Sequence, residues 1–281
     1  NLKEYSKKNK KKFIFYKIDI NDEKKIRKIF LKNNISQVYH LAAQAGVRFS
    51  ITNPKQYFIS NIKGFYNILN VCRDFRIKHL YFASSSSVYG NTYDLPSKET
   101  SDTDKPISFY AATKKTNEVL AYSYSSIYKL PVTALRFFTV YGPYGRPDMS
   151  LYNFFKNIIR EKHINVFNHG KHVRDFTFID DAVNMLIKIR KISKKEKVPY
   201  RCFNIVNSKP IEIIDYIKMI SKILNKKVRI KYIGIQKGDV EKTHGSKSLI
   251  KKNIGPIKQT SLENGLKKYL LWFKKYYFYL K

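Results

Sequence analysis

The sequence predicts an α/β fold built around an open parallel sheet. Apolar runs of strand length alternate with helical stretches of ten residues or more, and that alternation is typical of βαβ units. With 281 residues, the chain is long enough for one large α/β domain or for one domain with a smaller lobe. A hydrophobic content of 43% is enough for a substantial core.

The first 142 residues show the clearest alternation of strands and helices. The first predicted strand is rich in β-branched and aromatic residues. Asn21 or Asp22 is placed to cap the helix that follows it. The predicted elements are strand 13–20, a helix that ends near residue 33, strand 37–43, helix 57–75, strand 79–83, helix 110–128 and strand 131–138.

The pattern changes after Gly142, where Gly142-Pro-Tyr-Gly145 reads as a turn. We predict helices at 150–161 and 180–191 on either side of segment 164–178, a strand at 201–206, and helices at 211–224 and 262–276. This arrangement indicates a smaller lobe interleaved with the end of the sheet. We therefore divide the chain into residues 1–142, the sheet domain, and residues 143–281, the smaller lobe, with the strand near 201–206 returning to the sheet.

The chain is strongly basic, with a formal net charge of +34 from 55 Lys and Arg against 21 Asp and Glu. Polyanions such as nucleic acids bind basic surfaces by releasing counterions. However, the basic residues are spread along the whole chain, Lys heavily outnumbers Arg, and no RNA-binding signature, zinc knuckle or basic heptad pattern occurs. We expect no nucleic-acid partner, whereas anionic small molecules remain compatible with the charge.

Cysteines and histidines give no sign of a disulfide framework or a metal site. Cys72 and Cys202 lack CxxC spacing, which favours two reduced core thiols. His169 and His172 lie in a short loop without a nearby ligand cluster, so we expect no metal. No apolar run reaches the roughly 18 residues that a membrane helix needs, and the first residues do not form a signal peptide. We expect no membrane partner and a cytoplasmic location.

Tyr110 and Lys114 form the most informative pair in the sequence. Residues four apart on a helix lie on one face. A tyrosine with a pKa near ~10 is a poor base at neutral pH, but a neighbouring ammonium favours the phenolate and so lowers that pKa. With a hydroxyl from the serine run 84–87, the pair would take a proton from an alcohol while a hydride leaves the same carbon. Since this spacing also occurs by chance in many helices, the interpretation needs further support.

That support comes from the positions of three polar segments. In open parallel sheets, ligands bind beyond the carboxyl ends of the strands. Residues 42–46, 84–87 and 139–142 all follow predicted strands and would lie at that edge. Their convergence indicates a nucleotide-dependent active site.

Seven stretches, in order along nearly the whole chain, carry a resemblance to a known family. They are HLAAQAGVRFS at 40–50, SNIKGFYNIL at 60–69, ASSSSVYG at 83–90, YAATKKTNE at 110–118, LRFFTVYGPYGRPDM at 135–149, RDFTFIDD at 174–181 and GDV at 238–240. Through them the chain resembles the extended short-chain dehydrogenase/reductases that act on nucleotide sugars, and above all the UDP-glucuronate 4-epimerases. The resemblance implies a Rossmann-type doubly wound parallel sheet that binds NAD in residues 1–142, and a substrate-binding lobe in residues 143–281.

The resemblance also implies roles for individual residues. Tyr110 would be the catalytic base, and Lys114 would support it and bind the nicotinamide ribose. Ser85 would contact the sugar O4, with Ser86 and Ser87 as alternatives. The implied NAD contacts are Asp19, Ile20, Ala42, Ala43, Asn61, Ala83, Lys114 and Phe138.

On the substrate side, the resemblance implies contacts to a UDP group. Arg174 resembles a ligand of the UDP phosphates, and Phe167 is placed to stack on uracil. Gln236 and Asp239 lie where the nucleotide binds. The alternative for Phe167, Gln236 and Asp239 is that each is an ordinary loop or packing residue.

Thr139 and Arg146 are implied to clamp the carboxylate of the substrate. A guanidinium binds a carboxylate through two parallel hydrogen bonds. Oxidation at C4 of a uronic acid makes a ketone β to the carboxylate, which is then prone to loss of CO2, so holding the carboxylate still disfavours that loss. The alternative for Arg146 is a loop arginine paired with Asp148.

The implied reaction interconverts UDP-glucuronate and UDP-galacturonate through a transient 4-keto sugar. The expected partner is a second copy of the chain, with helices 57–75 and 110–128 forming a four-helix bundle. Alternatives are another nucleotide-sugar epimerase, a decarboxylase, a non-enzymatic basic binding protein or an inactive remnant. A 4,6-dehydratase is disfavoured because the serine run lacks the Thr-Asp-Glu set of that group.

One feature of the resembling family has no counterpart in these 281 residues. The family begins with a strand and a glycine-rich turn that hold the cofactor pyrophosphate at a helix N-terminus, whereas this sequence starts at Asn1 and contains no G-x-G-x-x-G. Either the sequence is part of a longer product or the gene has decayed. In both cases strand 13–20 would be detached and strand 37–43 would expose an edge. We therefore expect the 281-residue polypeptide alone to bind NAD weakly and to aggregate.

Overall fold

A computed structural model describes residues 13–192 and 196–277 of the chain. Helices and strands alternate from the first described helix onwards. In chain order the elements are α1 (Glu23–Lys32), β1 (Gln37–His40), α2 (Val47–Thr52), α3 (Pro54–Tyr57), a π-helical segment (Phe58–Lys63), α4 (Gly64–Asp74), β2 (His79–Ser85), a 3-10 turn (Ser86–Tyr89), α5 (Phe109–Tyr128), β3 (Val132–Phe137), β4 (Thr139–Tyr141), α6 (Ser150–Ile159), β5 (Ile164–Phe167), a second 3-10 turn (Asn168–Gly170), β6 (Val173–Phe178), α7 (Ile179–Ile189), β7 (Tyr200–Ile205), β8 (Pro210–Glu212), α8 (Ile213–Leu224), β9 (Ile230–Ile233), α9 (Ser248–Ile254) and α10 (Leu262–Tyr277).

The central sheet is parallel and has helices on both faces. Its strand order is β1-β2-β3-β7. On one face, α1, α4 and α5 bury apolar side chains such as Phe65 and Ala121 against the sheet. On the other face, α7 and α9 contribute Met185 and Ile250 to a second core. Parallel strands need crossover connections, and the helices in these connections cover both faces of the sheet and bury its strands. The fold is therefore the predicted Rossmann-type doubly wound α/β fold.

The smaller lobe has its own core. Its strands form two groups, β4-β6-β8 and β5-β9. Helices α6, α8 and α10 pack against them around buried Phe155, Tyr216 and Phe273. The chain interleaves the two parts, because β7, which follows α7, pairs in parallel with β3 of the central sheet.

The prediction of a strand at 13–20 is wrong for this structure. Residues 13–19 are irregular and pair with no strand among the described residues. A strand is stable only when a neighbour completes its ladder of hydrogen bonds, and within the described part of the chain β1 pairs with β2 and with no other strand. The β-branched and aromatic composition of the segment is therefore not sufficient to form a strand.

Other boundaries differ by local causes. Strand 37–43 ends at His40, because β2 pairs only with residues 37–40, and residues 42–46 instead form a loop. Helix 57–75 is three consecutive pieces with a π-helical centre, a feature that often marks a functional site. Asp22 is the N-cap of α1, and its carboxylate accepts a hydrogen bond from the Lys25 amide, as predicted. Short elements α2, α9, β8 and β9 were not predicted.

Candidate active site

A cleft opens beyond the carboxyl ends of β1, β2 and β3, where the sequence predicted a site. At its centre is a cavity of about 460 Å³. Several of the predicted site residues line it together, with side chains from the sheet, from α5 and from the loop that follows β4. The lining residues are Leu41, Ala43, Gln44, Ala45, Ala83, Ser84, Ser85, Tyr110, Lys114, Phe137, Phe138 and Arg146.

Tyr110 and Ser85 face each other in this cavity. Tyr110 lies in the first turn of α5, which Ser108 caps by accepting the Ala111 amide. Burial raises the pKa of the Tyr110 phenol, while a hydrogen bond with the Ser85 side chain and the charge of Arg146 oppose that rise. A phenol and a hydroxyl at one end of a cavity can both bind a single substrate oxygen.

Lys114 lies one turn after Tyr110 on α5, and its ammonium is bound to a strand carbonyl. The Nζ atom donates a hydrogen bond of 2.8 Å to the Ala83 carbonyl and lies 5.9 Å from the centre of the Tyr110 ring. Burial lowers the Lys114 pKa to about 8. The charge that lowers the Tyr110 pKa comes from Arg146 rather than Lys114, since the strand carbonyl holds the ammonium away from the phenol oxygen.

The loop of residues 42–46 is held by the π-helical segment. Asn61, 1% exposed, accepts the Gln44 amide and donates to the Gln44 carbonyl through its side chain, and also donates to Thr113 Oγ1 on α5. The Tyr57 hydroxyl donates to the carbonyls of Ala45 and Gly46. Asn61, predicted as an NAD contact, therefore fixes the loop that lines the cleft and does not itself line the cavity.

A second groove of about 520 Å³ continues the cleft past residues 42–44. Asp19 and Ile20 line it, as do Ala42 and Ala43. The Asn67 side chain of α4 donates to the carbonyls of Ile20 and of the next residue. Ile20 packs directly over Gly64, where a Cβ would lie 2.6 Å from its Cδ1 atom. A glycine in α4 thus lets the segment with the predicted NAD contacts Asp19 and Ile20 lie against the helix.

Arg146 lies at the rim of the cavity and is half exposed. It forms a two-point pair with the Asp148 carboxylate through Nε and Nη2, and Nη2 also donates to the Ala45 carbonyl at 3.4 Å. The alternative reading of Arg146, as a loop arginine paired with Asp148, is thus what this structure contains. Thr139, its predicted companion, lies on β4 and does not line the cavity.

Several residues predicted for the nucleotide lie near one another, together with one residue that the sequence did not single out. The Arg48 guanidinium lies 3.7 Å from the centre of the Phe167 ring and forms a salt bridge of 2.9 Å with Asp239. Arg174 donates to the carbonyls of Val173 and Glu241. Gln236 and Asp239 share a turn in which the Asp239 amide donates to the Gln236 carbonyl.

Some predicted residues stay outside the central cavity. Ser86 and Ser87 begin the first 3-10 turn, where Ser87 Oγ accepts a hydrogen bond from Ser85.

The sequence analysis did not single out Gln44 and Arg48, although both lie in the resembling stretch at 40–50. Only the long-range contacts to Asn61 and Asp239 identify them. No group of three His, Cys, Asp or Glu side chains in the described ranges is arranged to hold a metal ion.

Comparison with known proteins gives the family. The model of the NAD dependent epimerase/dehydratase family matches residues 1–205. The chain belongs to the NAD dependent epimerase/dehydratase family. Protein CapI of Staphylococcus aureus is 41% identical over 282 residues, which span 95% of this chain and 84% of CapI. UDP-glucuronate 4-epimerase 4 of Arabidopsis thaliana is 41% identical over 92% of this chain and 62% of its own length.

A solved UDP-sugar epimerase has the same fold. It is UDP-glucuronic acid 4-epimerase from Bacillus cereus in complex with UDP-glucuronic acid and NAD, with a TM-score of 0.87 and 30% identity over 95% of this chain and 83% of that chain. This agreement confirms the predicted membership among nucleotide-sugar epimerases. No helix in the described ranges is long and apolar enough to cross a membrane.

NAD is the cofactor of this family, and the residues present fit it at two points. The two cavities share Ala43 and Gln44 in their linings, so they form one elongated groove that suits a dinucleotide. Lys114 and Phe138 would hold the cofactor at the catalytic end, and Asp19 and Ile20 at the other. The glycine-rich pyrophosphate turn of the family does not occur in the sequence.

Proposed function

We propose that the protein is an NAD-dependent epimerase that acts at C4 of a UDP-uronic acid and interconverts UDP-glucuronate and UDP-galacturonate. The observation that carries this proposal is the cavity that brings Ser85, Tyr110, Lys114 and Arg146 together. Ser85, Tyr110 and Lys114 suit proton transfer at a sugar hydroxyl. Arg146 places a guanidinium at the rim of the cavity. The similarity to UDP-glucuronate 4-epimerases supports the same reaction.

Tyr110 is the proposed catalytic base. The phenol oxygen takes the proton of the sugar O4 and later returns it, and Ser85 Oγ hydrogen-bonds the same oxygen. Lys114, fixed on the Ala83 carbonyl, is the proposed ligand of the nicotinamide ribose, and Arg146 is the nearby charge that favours the phenolate. NAD, when bound, would supply the hydride acceptor at C4, and return of the hydride to the other face of C4 would give the epimer without net oxidation.

Arg146 is the proposed ligand of the substrate carboxylate. Its two-point pairing with Asp148 supports this role, because a uronate carboxylate can pair with a guanidinium in the same way. We propose that the substrate replaces Asp148 and that Thr139 adds a hydroxyl. A carboxylate held in this way is less able to reach the geometry for loss of CO2 from the 4-keto sugar.

The nucleotide end is the proposed binding site of UDP. Phe167 offers an aromatic face, and Asp239 and Gln236 lie on the adjoining turn. Arg174 supplies a cation for the diphosphate, where a guanidinium is well suited to two oxygens at once. Because Arg48 lies over the Phe167 ring, stacking of a base on that side requires Arg48 to move.

The function is tested by assaying the protein with UDP-glucuronate and with UDP-glucose in the presence of NAD. We expect UDP-galacturonate as the product from the first and much slower conversion of the second. Faster conversion of UDP-glucose would replace the uronate proposal with the alternative of a neutral nucleotide-sugar epimerase. Formation of a UDP-pentose as main product would identify a decarboxylase.

A homodimer through a four-helix bundle is part of the proposal. Helices α4 and α5 pack on each other and leave large apolar side chains on their outer surface, with Tyr66 47%, Val119 58% and Tyr122 52% exposed. Two copies of this pair would bury these side chains. Val119→Glu is expected to convert a dimer to a monomer in analytical ultracentrifugation. Val183→Glu, at an exposed position of α7, is expected to leave the dimer intact. A parent protein that sediments as a monomer would contradict the dimer.

A cytoplasmic location is also proposed. Cys72 and Cys202 are both free thiols in this structure, as expected in a reducing compartment. Cell fractionation with an antibody against the protein would test this location, and recovery in a secreted fraction would contradict it.

A further inference from the structure

A layer of buried polar side chains lies directly beneath the cleft. Ser84 on β2, Arg136 on β3 and Asn204 on β7 are paired in register across adjacent strands. Residues in register project from the same face of a sheet. All three are buried, with 2%, 5% and 0% exposure. A row of this kind in the middle of a sheet needs partners for every polar group.

Glu118 of α5 provides the negative charge that pairs with Arg136 in this row. Its carboxylate is 5% exposed and accepts Arg136 Nε at 2.9 Å and Arg136 Nη2 at 2.8 Å, so the ion pair is bidentate. Ser84 Oγ donates to the same carboxylate at 2.5 Å. Charge-assisted, two-point pairs of this kind fix orientation as well as distance. Glu118 therefore links one helix to two neighbouring strands.

The third nitrogen of Arg136 also forms hydrogen bonds. Its Nη1 atom donates to the Tyr89 hydroxyl at 2.9 Å and to the Glu99 carbonyl at 3.0 Å. The Tyr89 hydroxyl in turn donates to the Asn204 side chain at 2.7 Å. Replacing a buried ion pair by apolar residues is often neutral for stability, whereas removing one partner is costly. Stability is therefore not a sufficient reason for this pair, and its position relative to the site becomes informative.

Three residues spaced by one turn on α5 each contact the end of β2. Tyr110 lines one cavity with Ser85, Lys114 donates to the Ala83 carbonyl and Glu118 accepts from Ser84. The spacing of four places all three on one face of α5. A shift of α5 along or around its axis would therefore change the separation of Tyr110 from Ser85, and only Glu118 is tied to β3 as well.

We propose that the Glu118–Arg136 ion pair is a positioning element that fixes α5 on the sheet and thereby sets the Tyr110–Ser85 geometry for proton transfer. The proposal rests on the proposed function in that it takes Tyr110 as the base. Neither residue touches the substrate. Both act through Tyr110 and Ser85, from the layer of the sheet beneath them.

The first test uses Glu118→Gln and Arg136→Lys. Glu118→Gln keeps the side-chain shape but removes the charge. Arg136→Lys keeps the charge but removes the two-point hydrogen-bonding geometry of the guanidinium. We expect kcat to fall about tenfold to a hundredfold, as for a displacement of reacting groups by about 1 Å, with KM and the Kd for UDP within about twofold of the parent. Since the Ser85 contact favours ionisation of Tyr110, its loosening should move the acid limb of the kcat–pH profile to higher pH.

The decisive variant is the double replacement Glu118→Leu with Arg136→Met. If the pair only stabilised the fold, the apolar pair would restore both stability and kcat. If it positions α5, the double variant should melt closer to the parent than either Glu118→Leu or Arg136→Met alone, yet keep the low kcat and the shifted pH profile. A double variant with parental kcat and pH profile would overturn the proposal. If it does not fold, parental kcat in Arg136→Lys would overturn it equally.

Two controls complete the test. Glu23→Gln breaks a surface pair with Arg27 and should leave kcat and the pH profile unchanged. Ile158→Val, in the core of the smaller lobe, should lower the melting temperature without moving the pH profile. The kcat of each variant is compared with that of the parent on whichever UDP-sugar the parent converts. The positioning role of the ion pair can therefore fail while the uronate specificity holds. Equally, the uronate specificity can fail while the positioning role holds.

Discussion

The ammonium of Lys114 donates a 2.8 Å hydrogen bond to the carbonyl oxygen of Ala83, at the end of the strand that carries the serine run. This contact replaces solvent around a buried cation with a single strand carbonyl. It explains why the lysine stays near the base without touching it. It also makes the lysine costly for the fold, because burial disfavours its charged form.

Replacement of Lys114 by Met should stabilise the protein at neutral pH while abolishing activity. Burial lowers the Lys114 pKa from 10.5 to about 8, and each pKa unit corresponds to roughly 1.4 kcal/mol, which gives a penalty on the order of 3 kcal/mol at pH 7. Between about pH 8 and 10.5 the unfolded chain binds more protons than the folded one, so the parent gains stability as pH rises.

Urea unfolding of both proteins at pH 7 and pH 10 checks this. The free-energy difference between Lys114→Met and the parent should be large at pH 7 and small at pH 10, because other titrating groups cancel in the comparison. A variant less stable than the parent at pH 7 would show that the ammonium contributes favourably to the fold.

Tyr110→Phe should remove turnover and leave substrate binding intact. Phe has the same ring but no oxygen to accept the O4 proton, and general acid–base groups contribute about 10² to 10⁴ to the rate. We expect a loss of at least a hundredfold in product formation measured by chromatography, with UDP affinity within about twofold. A near-normal rate would remove Tyr110 from the role of base.

Arg146→Met should separate acidic from neutral substrates. Hydrogen bonds to charged groups contribute about 1.5–3 kcal/mol, so kcat/KM for UDP-glucuronate should fall about a hundredfold, and any UDP-pentose side product should increase. Conversion of UDP-glucose should change no more than a few-fold. Asp148→Asn is the matched control, because it frees Arg146 and should preserve uronate turnover. Equal losses on both sugars would mean that Arg146 does not bind the carboxylate.

Phe167→Ala should weaken the binding of UDP. Stacking of a base on an aromatic ring contributes about 1–3 kcal/mol, so the Kd in calorimetry should rise about tenfold or more. Tyr232 is an exposed aromatic residue on the strand paired with that of Phe167, and Tyr232→Ala should have little effect. If both variants bind UDP like the parent, the base lies elsewhere.

Gly64→Ala should weaken NAD binding from a distance. An added Cβ would lie 2.6 Å from Ile20 Cδ1 and 2.8 Å from its Cγ1, which pushes residues 19–20 away from the groove. Overpacking of this kind costs about 1–3 kcal/mol, so we expect a lower melting temperature and a Kd for NAD raised about tenfold. Gly234→Ala, with no atom within 4 Å of the added Cβ, should change neither. Unchanged NAD affinity in Gly64→Ala would remove Asp19 and Ile20 from the cofactor site.

The periodicity of the sequence determined much of the fold and part of the site. The spacing of Tyr110 and Lys114 placed both on one helical face, and the cap at Asp22 and the turn at Gly142 follow from local chemistry. Apolar runs located β2, β3 and β7 to within one or two residues at most ends. These features depend on residues within a few positions of one another, so they can be read from a single chain.

Tertiary structure alone decided the partners of the charged and polar groups. Nothing in the local sequence pairs Glu118 with Arg136, places Arg48 over Phe167 or gives Lys114 a strand carbonyl. Each depends on segments far apart in the chain and on which edge or face the fold brings together. Burial then fixes the outcome, because a polar group removed from water must take whichever partner lies within reach.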